Sequence, residues 1–204
     1  MDRGEFGRRL RELRRERGLG LRELARRAGI DHTRLSKIER GLRPPPEPVL
    51  ILKLAQALEV EPLPLARLGG LPDGLLASVE REENLLKGRI VKSSGGLALV
   101  EVGDTRLEVV TEIGKGEVIV GIGPEEITLH LDKPPRSSAR NSLPGVIKEI
   151  LSYRNYYYVV IDCGDFQLKA AVTARSLAEL GLRPGERVLA SFKATAARVL
   201  EDKG

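Results

Sequence analysis

The apolar period of this chain changes once, near Asn84, and that change constrains its fold more than any other feature. Before it the period is helical. Phe6, Leu10 and Leu13 recur at i, i+4 and i+7 with arginines between them; Leu21, Leu24, Ala25 and Ala28 continue the pattern in a second short segment. Gly29 ends that segment, as a residue free to adopt positive φ does. Asp31 stands where an N-cap carboxylate would accept from the next turn's N–H groups, ahead of Leu35 and Ile38. Gly41 stops this third segment. After Pro44-Pro45-Pro46, Val49, Leu50, Leu52, Leu54, Ala55 and Leu58 form a wide apolar face, and a fifth helix is expected from Leu63 to Leu68.

Beyond Asn84 the period is two. Ala98–Val102, Leu107–Val110, Glu117–Val120, Gly145–Ile150, Tyr156–Ile161, Leu168–Val172 and Arg187–Phe192 read as short strands bounded by glycine, the pattern of small β-barrels. This half also repeats. Asn84-x-Leu86-x-Gly88 returns as Asn141-x-Leu143-x-Gly145, Leu107–Thr111 parallels Leu168–Thr173, and Gly116-Glu117-Val118 parallels Gly185–Val188, in the same order. The reading is an α + β multidomain chain: an all-α bundle over 1–70, a linker or extra helix over 71–83, and two OB-like β-barrels over 84–132 and 137–201. Asp132-Lys133-Pro134-Pro135-Arg136 joins the two copies.

Charge follows the same division. Residues 1–70 hold 16 Lys/Arg against 10 Asp/Glu, and residues 71–204 hold 18 against 19. A basic first third on a near-neutral remainder points to a nucleic-acid module joined to something else, the bland alternative being a solvated helical surface. No apolar run approaches the ~18 residues of a bilayer span, and Met1–Glu5 does not open a signal peptide, so a cytoplasmic protein is expected. One cysteine, Cys163, and two distant histidines, His32 and His130, give neither a disulfide nor a metal centre. There is no phosphate-binding glycine loop and no nucleophile–base constellation, so no enzyme is expected.

Helix, glycine-containing turn, helix is the arrangement that lays a second helix in the major groove of DNA. Here that helix would start at Asp31. It offers His32, Thr33, Arg34 and Lys37 to base edges, with Arg43 just past its end, and Arg22 and Arg26, placed for phosphates. Leu10–Arg14, Gly18-Leu19, Glu23-Leu24-Ala25, Ala28-Gly29-Ile30, Leu35–Gly41 and Leu54–Leu58 together resemble the Cro/CI-type (XRE) helix-turn-helix family. Gly20-Leu21 departs from it: a small polar cap and a DNA-contacting glutamine are usual there.

In the second β copy, Ser137–Asn141, Thr173–Ser176 and Lys193 supply hydroxyls and cations in segments free of Asp and Glu, a composition suited to a tetrahedral oxyanion. Taken alone, Ser138 reads equally as a turn cap, Ser176 as a helix cap and Lys193 as a solvated lysine. The run Ser138-Ala139-Arg140-Asn141, Leu143-x-Gly145, Ala171-Val172-Thr173-x-x-Ser176, Leu180-x-Leu182-x-x-Gly185 and Lys193-Ala194 resembles the molybdate-binding Mop/TOBE domain. The resemblance implies that Ser138, Arg140, Thr173, Ser176 and Lys193 hold molybdate or tungstate where two modules meet. The first copy resembles the tail domain of molybdate-importer ATPases. It has Glu82-Glu83 where the second has Ala139-Arg140, no lysine in the place of Lys193, and only Thr111 paralleling Thr173.

Together these features predict a molybdate- or tungstate-responsive regulator: tandem Mop domains sensing the anion as effector, without a metal cation, and a double-stranded DNA operator read by a homodimer or higher homo-oligomer. An oxyanion storage or buffering protein is the alternative. The four tyrosines, Tyr153, Tyr156, Tyr157 and Tyr158, read as packing between barrels or as a nucleic-acid stacking face.

Overall fold

The structure, a computed structural model, describes residues 3–132 and 136–201. Lys133, Pro134 and Pro135 of the expected connector lie outside the described residues. The described residues divide into two compact units, 3–81 and 82–201.

Among the described residues the first unit holds six helices: α1 (Arg3–Glu16), α2 (Leu21–Ala28), α3 (His32–Glu39), α4 (Pro48–Ala57), α5 (Pro62–Leu68) and α6 (Asp73–Glu80). The start and stop chemistry is local. The Asp31 carboxylate accepts from Thr33 N–H at 2.8 Å and Arg34 N–H at 3.1 Å. Gly29, at φ 68°, closes α2. Proline opens both α4 and α5. Phe6, Leu10, Leu24, Leu35, Ile51, Leu54 and Leu65 make the buried centre. The inward face of α4 is Leu50, Ile51, Leu54 and Ala55, with Val49 and Leu52 half-buried at its margins. Ile51, absent from the apolar face expected from sequence, belongs to it because the 3.6-residue period places it with Leu54 and Ala55. The segment expected as a linker over 71–83 contains α6, whose Leu75 and Val79 are buried and which packs on α5.

The second unit holds, among the described residues, two five-stranded antiparallel sheets. Their strands are β1 (Asn84–Ser94), β2 (Leu97–Val102), β3 (Thr105–Val110), β4 (Gly116–Ile122), β5 (Thr128–His130), β6 (Asn141–Tyr153), β7 (Tyr156–Asp162), β8 (Gln167–Val172), β9 (Arg187–Phe192) and β10 (Ala197–Glu201), with α7 (Ala174–Glu179) after β8. The order is β10-β4-β1-β2-β3 in one sheet and β5-β9-β6-β7-β8 in the other. Each copy thus keeps four strands and lends its fifth to the other. Each barrel expected over 84–132 and 137–201 is thus completed by one strand of the other. The lent strands are short, and nothing in their own sequence says which edge they join.

The repeat is visible in the registers. Asn84 pairs with Ile122 as Asn141 pairs with Phe192. The register shifts at Val91 in β1 and at Lys148 in β6, 57 residues apart, and such bulges bend a strand toward closure. A Cβ on Gly88 would lie 2.6 Å from Glu101 O, and one on Gly145 2.8 Å from Asp162 O, so both glycines permit the same close approach of the next strand. The offset then rises to 61, because two residues (Gly95, Gly96) turn the β1–β2 hairpin between Ser94 and Leu97, whereas six (Ser152 to Tyr157) separate the matching pair Leu151 and Tyr158. Buried residues from both sheets, Val100, Leu107, Val120, Val159, Leu168 and Phe192 among them, form one continuous core.

Candidate functional site

In the first unit, α3 carries His32, Thr33 and Lys37 exposed, with Arg43 exposed beyond it. Arg34 is half-buried, and its guanidinium binds the Glu47 carboxylate at 2.8 Å, so its free charge is taken up within the unit. His32 Nδ1 lies 3.6 Å from Asp31. Of the two expected phosphate contacts, Arg22 is exposed, and Arg26 is held by Glu23 at 2.7 Å. The two Glu23 ion pairs, with Arg26 and Arg27, pull its carboxyl down to about 2. Sequence reasoning missed what fixes α3. Arg14 of α1 donates to both oxygens of the buried Glu39, at 2.6 and 2.8 Å, and to Leu19 O at 2.9 Å, tying α1, the turn before α2 and α3 together. Gly7 lets α3 come close, since a Cβ there would collide with the backbone of Ile38 and Glu39.

The second unit divides the five candidate anion ligands between two junctions of the copies. At the first junction, Asn141 is buried, accepts from Glu108 N–H and donates to Glu108 O, both at 2.9 Å. Val110 N–H donates to Ala194 O at 3.2 Å. Because Asn141 pairs with Phe192, Arg140 and Lys193 are the next residues beyond that pair, both exposed, with exposed Ser138 two residues before Arg140. Neither cation makes an ion pair among the described residues. The first copy adds Thr111, whose hydroxyl accepts from Ile113 N–H and whose N–H donates to Gly96 O.

Thr173 and Ser176 lie at the second junction. Thr173 N-caps α7: its hydroxyl accepts from Ser176 N–H at 3.1 Å and stands 3.0 Å from the Ser176 hydroxyl. Val172 pairs with Tyr157 beside the far end of β6, twelve residues from Asn141 and thus about 40 Å along the strand path. The strand that precedes Thr173 is gripped by the first copy: Asn84 donates to Lys169 O at 3.0 Å and accepts from Lys169 N–H at 2.7 Å. Within one chain, therefore, Thr173 and Ser176 follow the strand that Asn84 grips, whereas Arg140 and Lys193 flank the Asn141–Phe192 pair beside Glu108. The register matches Thr111 with Val172, one residue short of Thr173.

Three of the four tyrosines meet at the second junction. Tyr153, Tyr156 and Tyr158 pack ring on ring, with centroids 4.8–5.3 Å apart. Lys169 Nζ stands 4.5 Å over the Tyr158 ring. Tyr153 OH donates to Glu82 at 2.5 Å, and Lys169 pairs with Glu82 at 3.4 Å. Burial pushes the Glu82 carboxyl up, but hydrogen bonds from Tyr153 and Tyr158 and the charge of Lys169 outweigh it and hold it below its ordinary value. Cys163 is half-buried against the core, and burial pushes its thiol up to about 11. Among the described residues no group of three or more His, Cys, Asp and Glu is placed to hold a metal ion, and no helix is long and apolar enough to cross a membrane.

A helix-turn-helix domain family matches residues 5–68, and the TOBE domain family matches residues 137–199. The chain carries a helix-turn-helix domain and a TOBE domain. Over 117 residues it is 38% identical to the molybdate/tungstate import ATP-binding protein WtpC of Pyrococcus horikoshii, covering 57% of this chain and 31% of that protein. Over 55 residues it is 51% identical to the uncharacterized HTH-type transcriptional regulator RghRB of Bacillus subtilis, covering 27% of this chain and 40% of that protein. The chain thus spans well under half the length of these curated relatives. A crystal structure of the cytoplasmic molybdate-binding protein ModG with molybdate bound superposes with a TM-score of 0.50 at 28% identity, over 57% of this chain and 94% of that one. The helical head followed by OB-like β structure agrees with the expected fold class.

Proposed function

We propose that this protein is a transcriptional regulator whose helix-turn-helix binds a DNA operator and whose tandem Mop-like copies sense molybdate or tungstate. The observation that carries the reading is the first junction, where Arg140 and Lys193 stand side by side, exposed and without an ion pair among the described residues, against the end of β3 from the other copy. Two cations, the Ser138 hydroxyl and the Thr111 hydroxyl suit a tetrahedral dianion that offers only acceptors. The likeness to ModG, and to the importer subunit over the same half of the chain, supports the choice of anion. The exposed His32, Thr33, Lys37 and Arg43 on a basic unit, and the likeness to an HTH-type regulator, support the choice of DNA. Anion held between two copies favours one arrangement of those copies over others, and this differential affinity is what would couple the sensor to DNA in a homodimer.

Calorimetry of the full chain with molybdate, tungstate and sulfate tests the sensor half. The expected result is tight binding of the first two and weak binding of sulfate, with affinity lost in Lys193→Ala at an unchanged circular-dichroism spectrum. Wild-type affinity in that variant refutes the site. Selection of binding sequences from a random DNA pool tests the other half: enrichment of a two-fold site supports a regulator, and absence of enrichment favours anion storage.

A further inference from the structure

The two junctions are related by the repeat, and residue-by-residue comparison shows that their charges are inverted. Arg140 corresponds to Glu83 and Ala139 to Glu82, both by the 57-residue offset. With Ile122 matched to Phe192, Lys193 corresponds to Gly123, Thr195 to Glu125 and Ser191 to Gly121. Where the first junction has a guanidinium and an ammonium, the second has a carboxylate and a glycine.

These carboxylates are accommodated. The Glu83 side chain is 6% exposed and is ion-paired with Arg198 of the strand lent by the second copy. It lies over Gly121, where a Cβ would be 2.9 Å from its Oε2, so the small residue makes room for it. Glu125 covers Gly123 in the same way, with its Oε1 2.6 Å from where a Cβ would be. Glu82 is held by Tyr153 and Lys169, and Tyr153 and its neighbour Tyr156 come from the hairpin extension that the first copy lacks. Arg198 corresponds to Thr128 and Lys169 to Glu108, so the cations that hold these carboxylates are likewise absent from the first junction.

We infer that Glu82 and Glu83 are a built-in substitute for the anion at the second junction, which holds it permanently closed and leaves each chain one oxyanion site, at Arg140 and Lys193. This rests on the oxyanion reading above. Each two-copy unit then has one fixed junction and one that responds to anion. Thr173 and Ser176, although they match the family's ligand motif, follow the strand gripped at this closed junction and bind no anion in their own chain.

The test is calorimetric and thermal, on the full chain with sodium tungstate. Wild type is expected to take one tungstate per chain, and Arg140→Ala/Lys193→Ala none. Two per chain in wild type, or one retained in that double variant, overturns the inference. Glu82→Ala/Glu83→Arg, which writes the first junction's residues into the second, is expected to lower the thermal midpoint in anion-free buffer by roughly 5–10 °C, through loss of the Arg198 and Lys169 partners. Millimolar tungstate is expected to recover more of that loss than it adds to wild type. An unchanged midpoint in anion-free buffer overturns the inference even if tungstate binds. A lowered midpoint with no tungstate bound by wild type refutes the oxyanion reading and leaves the built-in ion pairs standing. Glu83→Gln, which keeps shape and removes charge, separates a lost ion pair from a packing defect: it is expected to reproduce at least half of the drop, and no drop overturns the inference.

Discussion

Arg34 shows how far a residue's identity predicts its role. Its position on α3 marks it as a base-reading candidate, but its guanidinium is bound to Glu47. In the proposed DNA contact Arg34 would exchange that partner, and the pair would then temper non-specific affinity. Arg34→Ala is expected to weaken operator binding by about 1–3 kcal/mol. Glu47→Ala is expected to do the opposite on random-sequence DNA, tightening binding and steepening its salt dependence by releasing one more cation for phosphate. Fluorescence anisotropy across a salt series checks both, and an Arg34→Ala variant with unchanged affinity removes it from the reading set. Glu39 is a different kind of residue. The XRE resemblance included it without giving it a task, and the structure gives it the Arg14 clamp, with side chains 12% and 5% exposed. Glu39→Ala leaves a guanidinium without its partner in a mostly dry site and is expected to cost about 3 kcal/mol, read by chemical denaturation.

At the scale of elements, the two asparagines that open the repeat are the clearest case of a motif whose meaning lies in tertiary contact. Asn84-x-Leu86-x-Gly88 and Asn141-x-Leu143-x-Gly145 read as a repeat signature from sequence. In the fold each asparagine crosses to the other copy and satisfies both backbone groups of one residue, Lys169 or Glu108. Asn141→Ala would leave the N–H and C=O of Glu108 without that partner and is expected to cost about 2–4 kcal/mol. Thermal melts check this, and because the staple holds the end of β3 beside Arg140, anion affinity is expected to fall with it. The sequence shows the glycine of the motif only as a recurring position; that Gly88 and Gly145 admit the backbone of the next strand depends on the register of β2 and β7.

At the scale of the whole molecule, stability should follow pH through the carboxylates that hold the second junction. Glu82 sits below its ordinary value in the folded chain. A depressed carboxyl stabilises the fold above its unfolded pKa of about 4.3 and loses that contribution as pH falls through the lower folded value. Asp31, lowered by the N–H groups of Arg34 and Thr33, acts with the same sign. The thermal midpoint of wild type is therefore expected to exceed that of Glu82→Gln by a constant margin above about pH 5 and to approach it only as pH falls below the ordinary carboxylate range, through the depressed folded value. Parallel curves down to acid pH would show that Glu82 gains nothing from Tyr153 and Lys169.

The sequence by itself determined the local terms: helices from a 3.6-residue period and an Asp31 cap, strands from alternation, a repeat from recurring asparagine and glycine, and a basic head on a neutral remainder. These are decided by a few neighbouring residues, which is why they could be read before any contact was known. Only the tertiary structure decided the strand exchange, the division of Ser138, Arg140 and Lys193 from Thr173 and Ser176, and the pairing of Glu83 with Arg198. The physical reason is common to all three. Strand edges, charges and hydroxyls acquire meaning from the partner they meet, and here the partners are 33 to 115 residues away along the chain.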